Sequence, residues 1–283
     1  MTSKRYRLKK LKAPRYDLEH PDVRWWIVED EFWSEIASAA KHGCIVSKAE
    51  TYSHLQIFAD YESKDKPDAS LIRQRLLEEI KAIIARDTAD PFHVILAALA
   101  LPRKTLDLDL KKYAARCDAR VFRLARWRAW PEILRDLPAQ PDSSDWLYYR
   151  ATLSDSLADY RKASKAGSLA ATLHLARAVS VKYYLRAIHK LGVTGVVYEY
   201  AERAKNKAVL LRLGTPRALV LYANFMLNEG KRVSRIKQWC RDRGVSLSSE
   251  KLLPSLQEQP DVPVVDEDTL YLDQLSSLLG YTL

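Results

Sequence analysis

The sequence predicts an all-α protein, a multi-helix bundle of about ten to twelve helices that forms either two helical halves or a short α-solenoid. Three observations predict it. Apolar residues recur at i, i+3, i+4 and i+7 along most of the chain, and strand-like alternation is nearly absent. Glycine, proline and capping residues also stand where such helices would begin and end. No internal repeat of fixed period is found, so a compact bundle fits as well as a solenoid.

In chain order, Pro21 suits a first helical position and Gly43 a C′ position, which predicts a helix through "DVRWWIVEDEFWSEIASAAKH". "SKAE", Ser47 to Glu50, has the form of a capping box and predicts a helix reaching about Glu62. Asp68 can cap "ASLIRQRLLEEIKAIIAR", where Ile72, Leu76, Ile80 and Ile83 repeat at helical spacing. Asp90 followed by Pro91 starts the apolar "FHVILAALAL", a segment expected at the core. Residues 136–145, "DLPAQPDSSD", are expected to separate two halves. Beyond them, "WLYYRATLSDSLADYRKASKA" and "LAATLHLARAVSVKYYLRAIHKL" read as two long helices stopped by Gly167 and Gly192, and further helices fall near 195–212, 216–228, 232–243 and 247–258. The expected organisation is a basic arm at 1–16, helical halves at 17–137 and 145–258, and an acidic tail at 259–283 with a short helix near 270–279.

With 283 residues, 47% hydrophobic and 29% charged, the chain has the composition of a globular protein rather than a disordered one. Its longest apolar run, residues 94–101, is too short to cross a bilayer, and no signal peptide is visible. Three well-separated cysteines (Cys44, Cys117, Cys240) imply neither a disulfide framework nor a zinc site, so a reducing, cytoplasmic location is expected.

The charge is +10 and unevenly placed. Residues 1–16 carry seven bases and no acid; residues 252–283 carry six acids and no base. With both ends set aside the body keeps +9, so the arm only adds to a body already suited to polyanions.

The stretch "CDARVFRLARWRAWP" concentrates arginine and tryptophan. Read as an α-helix at about 100° per residue, Arg116, Arg120, Arg123, Trp127 and Trp130 fall within about 80° of one another. Val121, Ala125 and Ala129 take the opposite side, leaving the stripe free to face outward. Guanidinium groups fork onto phosphates, and guanidinium and indole planes stack on bases, so Arg116, Arg120, Arg123, Arg126 and Trp127 are candidate nucleic-acid contacts. Asp118 could instead be an N-cap that starts a new helix and drops Arg116 from the stripe.

Two further basic features extend this reading. The arm "SKRYRLKKLKAPRY" offers Lys4, Arg5, Arg7, Lys9, Lys10 and Lys12 to a phosphate backbone, although the acids that follow it from Asp17 to Glu35 could hold it back. Lys182, Arg186, His189 and Lys190 share one side of their helix.

Other motifs are weaker. Cys240, Gly244, Val245 and Ser246 resemble the turn of a helix-turn-helix, with Ile236 and Trp239 as apolar contacts. Arg243 and Glu250 depart from that pattern, and Pro254 would shorten the second helix. No Walker loop, G-x-G-x-x-G, H-E-x-x-H or C-x-x-C is present, and the histidines lack metal-ligand spacing. Arg15 to His20 and Arg86 to His93 resemble the Arg-to-His motif of HEPN-type all-α ribonucleases, but Asp90 and Pro91 interrupt the second.

The expected function is therefore non-enzymatic binding of RNA or single strands, as a structural subunit of a nucleoprotein assembly or mobile-element system. No catalytic residue, metal or cofactor is assigned. Other protein subunits are expected partners, through the helix at 270–279, and no membrane is. A helical protein-binding scaffold is the alternative; a HEPN-like ribonuclease is the third reading.

Overall fold

The computed structural model describes residues 17–21, 30–59, 69–127, 130–180, 206–213 and 216–232, with single residues among 183–200 and 234–242. Among the described residues the chain is all helical, with twelve helices and no strand. It divides into two compact units, whose described residues fall within 17–175 and within 176–242.

The first unit opens with α1 (Asp30–Lys41), which buries Ile36, Ala37 and Ala40 on one face. Gly43, at φ +93, ends it as predicted: the Cys44 N–H returns to the Ala39 carbonyl and the Gly43 N–H to that of Ala40, satisfying the last free acceptors. The chain turns directly into α2 (Ile45–Ala59). The expected capping box is thereby corrected. Ser47 and Lys48 lie inside the helix and are buried, because Ile45 and Val46 already need helical backbone to reach the core. Lys48 leaves the core as an ion pair with Glu79 of α3 (Ala69–Ala85). In α3 the inward residues are Ala69, Ile72, Leu76 and Ile80; Ile83 is only half-buried.

Helix α4 (Pro91–Ala100) starts as the sequence requires, with the Asp90 carboxylate accepting the Phe92 N–H at 2.9 Å and Pro91 where no N–H is needed. Phe92 and the run from Val94 to Ala97 are buried, and the helix packs on α2 and on α5 (Leu110–Ala114). A 3₁₀ helix (Ala119–Arg126) follows, then α6 (Trp130–Arg135).

Residues 136–145 lie within this unit, since α7 (Ser144–Ser154), which follows them, packs against the 3₁₀ helix that precedes them. The long helix expected next is two: α7 ends at Asp155, which takes the left-handed conformation at φ +48, and α8 runs over Leu157–Lys165. Aspartate tolerates this conformation better than most residues, and Ser154 on one side bonds the Asp159 carboxylate on the other. Gly167, at φ +104, closes α8 before α9 (Leu169–Ala178). The helix expected to reach residue 191 stops there; Tyr183, Arg186 and Ala187 are helical again.

In the second unit α10 (Lys207–Leu213) packs on α11 (Pro216–Asn228) around Val209, Leu210 and Ala218, with Tyr200, Tyr222 and Phe225 at the edge. Lys4, Arg5, Arg7, Lys9, Lys10, Lys12, Lys182, His189 and Lys190 lie outside the described residues, as do the helix-turn-helix residues Cys240, Gly244, Val245 and Ser246 and the segment 270–279.

Candidate functional site

The arginine-rich stretch does not form the α-helix that its stripe presupposes. Residues 119–126 read Ala-Arg-Val-Phe-Arg-Leu-Ala-Arg, with arginine at every third position and apolar residues at most of the others. That period of three matches the 3.0 residues per turn of a 3₁₀ helix, where residues three apart eclipse. Arg120, Arg123 and Arg126 therefore stack as a ladder with rungs about 6 Å apart, while Val121, Phe122, Leu124 and Ala125 fill the core. An α-helix would spread the three arginines over about 120°.

The same geometry removes the tryptophans from the stripe. Trp127 is the extended C-cap and half-buried, and Trp130 begins α6 with only 3% of its surface exposed. An indole pair beside the arginines, open to stack on bases, is thus corrected: Trp130 belongs to the core. The reading of Asp118 as an N-cap holds, because its carboxylate accepts the Arg120 N–H at 2.9 Å.

Each rung is held from a different part of the chain. Arg120 Nε donates to Asp118 at 2.9 Å, Nη1 donates to Glu19 Oε2 at 3.0 Å, and Nη2 pairs with Asp90, the cap of α4. Three carboxylates surround one guanidinium, one facing each of its nitrogens. The hydrogen bond to Asp118 raises the Arg120 pKa above its ordinary value against the opposing effect of burial. Burial would raise the Asp118 carboxyl, but hydrogen bonds from the Arg120 side chain and N–H hold it low. Glu19 Oε1 also lies 3.0 Å from the buried His93 Nε2, without hydrogen-bond geometry. The Glu19 N–H donates to Asp17 Oδ1, so residues 17–20 form a small turn clamped against the 3₁₀ helix.

Arg123 Nε donates to Asp145 Oδ2 at 3.1 Å, and both side chains are largely covered. Burial outweighs Arg123 and raises the Asp145 carboxyl. His20 is wholly buried with neither ring nitrogen bonded; burial, then the Arg123 charge, push its pKa down to about 3. Arg126, at the outer end, donates to the Tyr160 hydroxyl at 2.9 Å and contacts His174, whose ring stacks 3.7 Å above that of Tyr160. Arg116 leaves the ladder and pairs with Asp87 at 2.9 Å.

The two inner rungs thus face four carboxylates, so the centre of the ladder is not a positive surface. Sequence reasoning missed Glu19, Asp90 and Asp145 as partners because they come from other elements. The period of three was the local signal that the arginines would eclipse. Cys117, half-buried near this cluster, has its thiol pushed up to about 12, first by its partial burial and then by Asp90 and Asp118. His93 lies beside Glu19, and Arg86 is exposed in the turn after α3.

Exposed positive charge without an ion pair among the described residues lies elsewhere on this unit, one group of it around residues 103–112. Pro102 to Thr105 form a turn closed by the Thr105 N–H donating to the Pro102 carbonyl, with Arg103 and Lys104 at its corners and Lys104 left-handed at φ +69. Seven residues on, Lys111 and Lys112 open α5, their N–H groups capped by Asp109. All four side chains are exposed and enter no ion pair among the described residues, and within 103–112 Asp107 is the one acid not used as a cap. In the other unit Arg186 is exposed, 5.7 Å from the Tyr183 ring. Among the described residues no group of His, Cys, Asp or Glu could hold a metal ion, and no helix is long and apolar enough to cross a membrane.

Comparison with protein-family models, curated proteins and solved structures finds no match to this chain.

Proposed function

We propose that this protein binds nucleic acid without chemistry, favouring RNA or single strands, as a structural subunit of a nucleoprotein assembly or mobile-element system. One observation supports it above the others: Arg103, Lys104, Lys111 and Lys112 are exposed, close in sequence and in no ion pair among the described residues. Charges of this kind attract phosphate, and their burden of self-repulsion is tolerated on a surface that meets a polyanion. Arg126 and Arg186 are exposed as well, and the arm and the 182–190 stretch hold further lysines and arginines in the sequence. Arg120 and Arg123 enter as positioning residues, since they already hold carboxylates.

Equilibrium binding of the full chain to single-stranded RNA, single-stranded DNA and duplex DNA across a salt series tests the reading. Affinity should fall steeply and log-linearly with salt, and replacing Arg103, Lys104, Lys111 and Lys112 with glutamine should weaken it about tenfold or more. Retention of none of the three nucleic acids at low salt would overturn it.

A further inference from the structure

The turn between α7 and α8 exposes two leucines, Leu153 at 59% and Leu157 at 42%; among the described residues Val179 is the one other exposed large apolar side chain. Basic residues flank them on both helices. Arg150, one turn before Leu153, lies 5.2 Å over the Trp146 ring; Arg161 follows Leu157 by one turn, with Lys162 and Lys165 beyond. Asp155 and Asp159 are the acids of this elbow, and Asp159 is occupied by Ser154 and Lys162. The result is a net positive ridge with an apolar centre. Phosphate has no use for the leucines, whereas an acidic amphipathic helix would match both parts.

The chain itself contains such a segment. Residues 266–279, "DEDTLYLDQLSSLL", carry four acids, five leucines and no base, and at helical spacing Asp268, Leu272, Leu275 and Leu279 share a side. Leu153 and Leu157 are open to solvent in the single chain. We propose that the ridge of Arg150, Leu153, Leu157, Arg161 and Lys165 docks segment 266–279 of a second copy, giving a dimer by reciprocal exchange. Reciprocity closes the assembly at two chains, because each copy supplies one ridge and one segment. This does not depend on nucleic-acid binding, and the residues involved are not those of the 103–112 surface.

The test is the mass of nuclease-treated full-length protein by light scattering and sedimentation over a concentration series. The parent should form a dimer, and Leu153→Glu with Leu157→Glu should weaken dimerisation tenfold or more while leaving the circular dichroism and thermal midpoint unchanged. Two charge-reversed variants sharpen it: Arg161→Glu with Lys165→Glu, and Asp266→Lys with Glu267→Lys and Asp268→Lys. Each should be monomeric alone, because its ridge and segment then carry like charge, and the two should dimerise when mixed. A parent that stays monomeric, a dimer indifferent to the leucine changes, or variants that stay apart on mixing would each overturn the proposal. A monomer in which the leucine changes open residues 266–279 to protease would instead assign the segment to its own chain and overturn the exchange.

Discussion

Glu19 Oε2 accepts a hydrogen bond from Arg120 Nη1 at 3.0 Å across 101 residues of sequence. Through this contact the arginine that looks most available for phosphate is spent on the protein's own architecture, closing the turn at 17–20 onto the 3₁₀ helix and the cap of α4.

Replacing Arg120 with alanine leaves Glu19, Asp90 and Asp118 facing one another without a counter-charge. Stability should fall by about 2–4 kcal/mol, because removing one partner of a partly buried charge network strands the others. Arg120→Lys should recover only part of it, since a point charge cannot fork to three carboxylates. Urea unfolding measures both; a loss below about 0.5 kcal/mol for the alanine variant would show that the three contacts carry no weight.

His20 makes the fold sensitive to acid. Its folded pKa, about 3, lies below the ordinary 6.5, so between these values the unfolded chain binds a proton that the folded chain refuses. Stability should therefore be full above pH 6.5 and decline as pH falls toward 3, by up to roughly 4 kcal/mol. Asp145 acts in the opposite sense, because its raised pKa lets the folded state take up a proton first. His20→Phe should flatten the dependence of the urea midpoint on pH between 7 and 4; an unchanged slope would mean the imidazole is not the group responsible.

Lys104 separates stability from binding. Its φ of +69 is costly for a residue with a side chain, so Lys104→Gly should stabilise the protein by about 0.5–1 kcal/mol. The same change removes a surface cation and should lower the slope of log affinity against log salt by about 0.7 for a single strand. A thermal midpoint that rises while RNA binding stays as tight and as salt-sensitive would take Lys104 out of the binding surface.

Cys117 should be chemically quiet. With its thiol pushed up to about 12, little thiolate exists near neutrality, and the Sγ–H is further occupied by the Tyr113 carbonyl at 3.3 Å. Iodoacetamide followed by peptide mapping should label Cys117 slowly in the native protein and at an ordinary rate in urea. Equal rates in both states would contradict the burial.

Much of the fold was legible because it depends on short-range rules. Gly43 and Gly167 end helices through the left-handed conformation only glycine adopts freely, and Asp90 with Pro91 starts α4 through a carboxylate that can reach an N–H two residues away. Where the reading failed, two local solutions were close in energy. Ser47 to Glu50 has the form of a cap yet lies inside α2, because Ile45 and Val46 are more favourably buried than exposed. Ser154 to Ser156 could continue a helix, but there the chain bends so that Tyr148 and Tyr160 share one core.

By itself the sequence determined that the chain is helical, where several helices are capped and that its charge is strongly positive, since these follow from backbone preference and composition. Only the tertiary structure decided what that charge faces. Whether residues 119–126 wind as α or 3₁₀ is a small local difference that the burial of Val121, Phe122, Leu124 and Ala125 settles. That winding aligns the arginines, and Glu19, Asp90 and Asp145 reach them only once distant segments have packed.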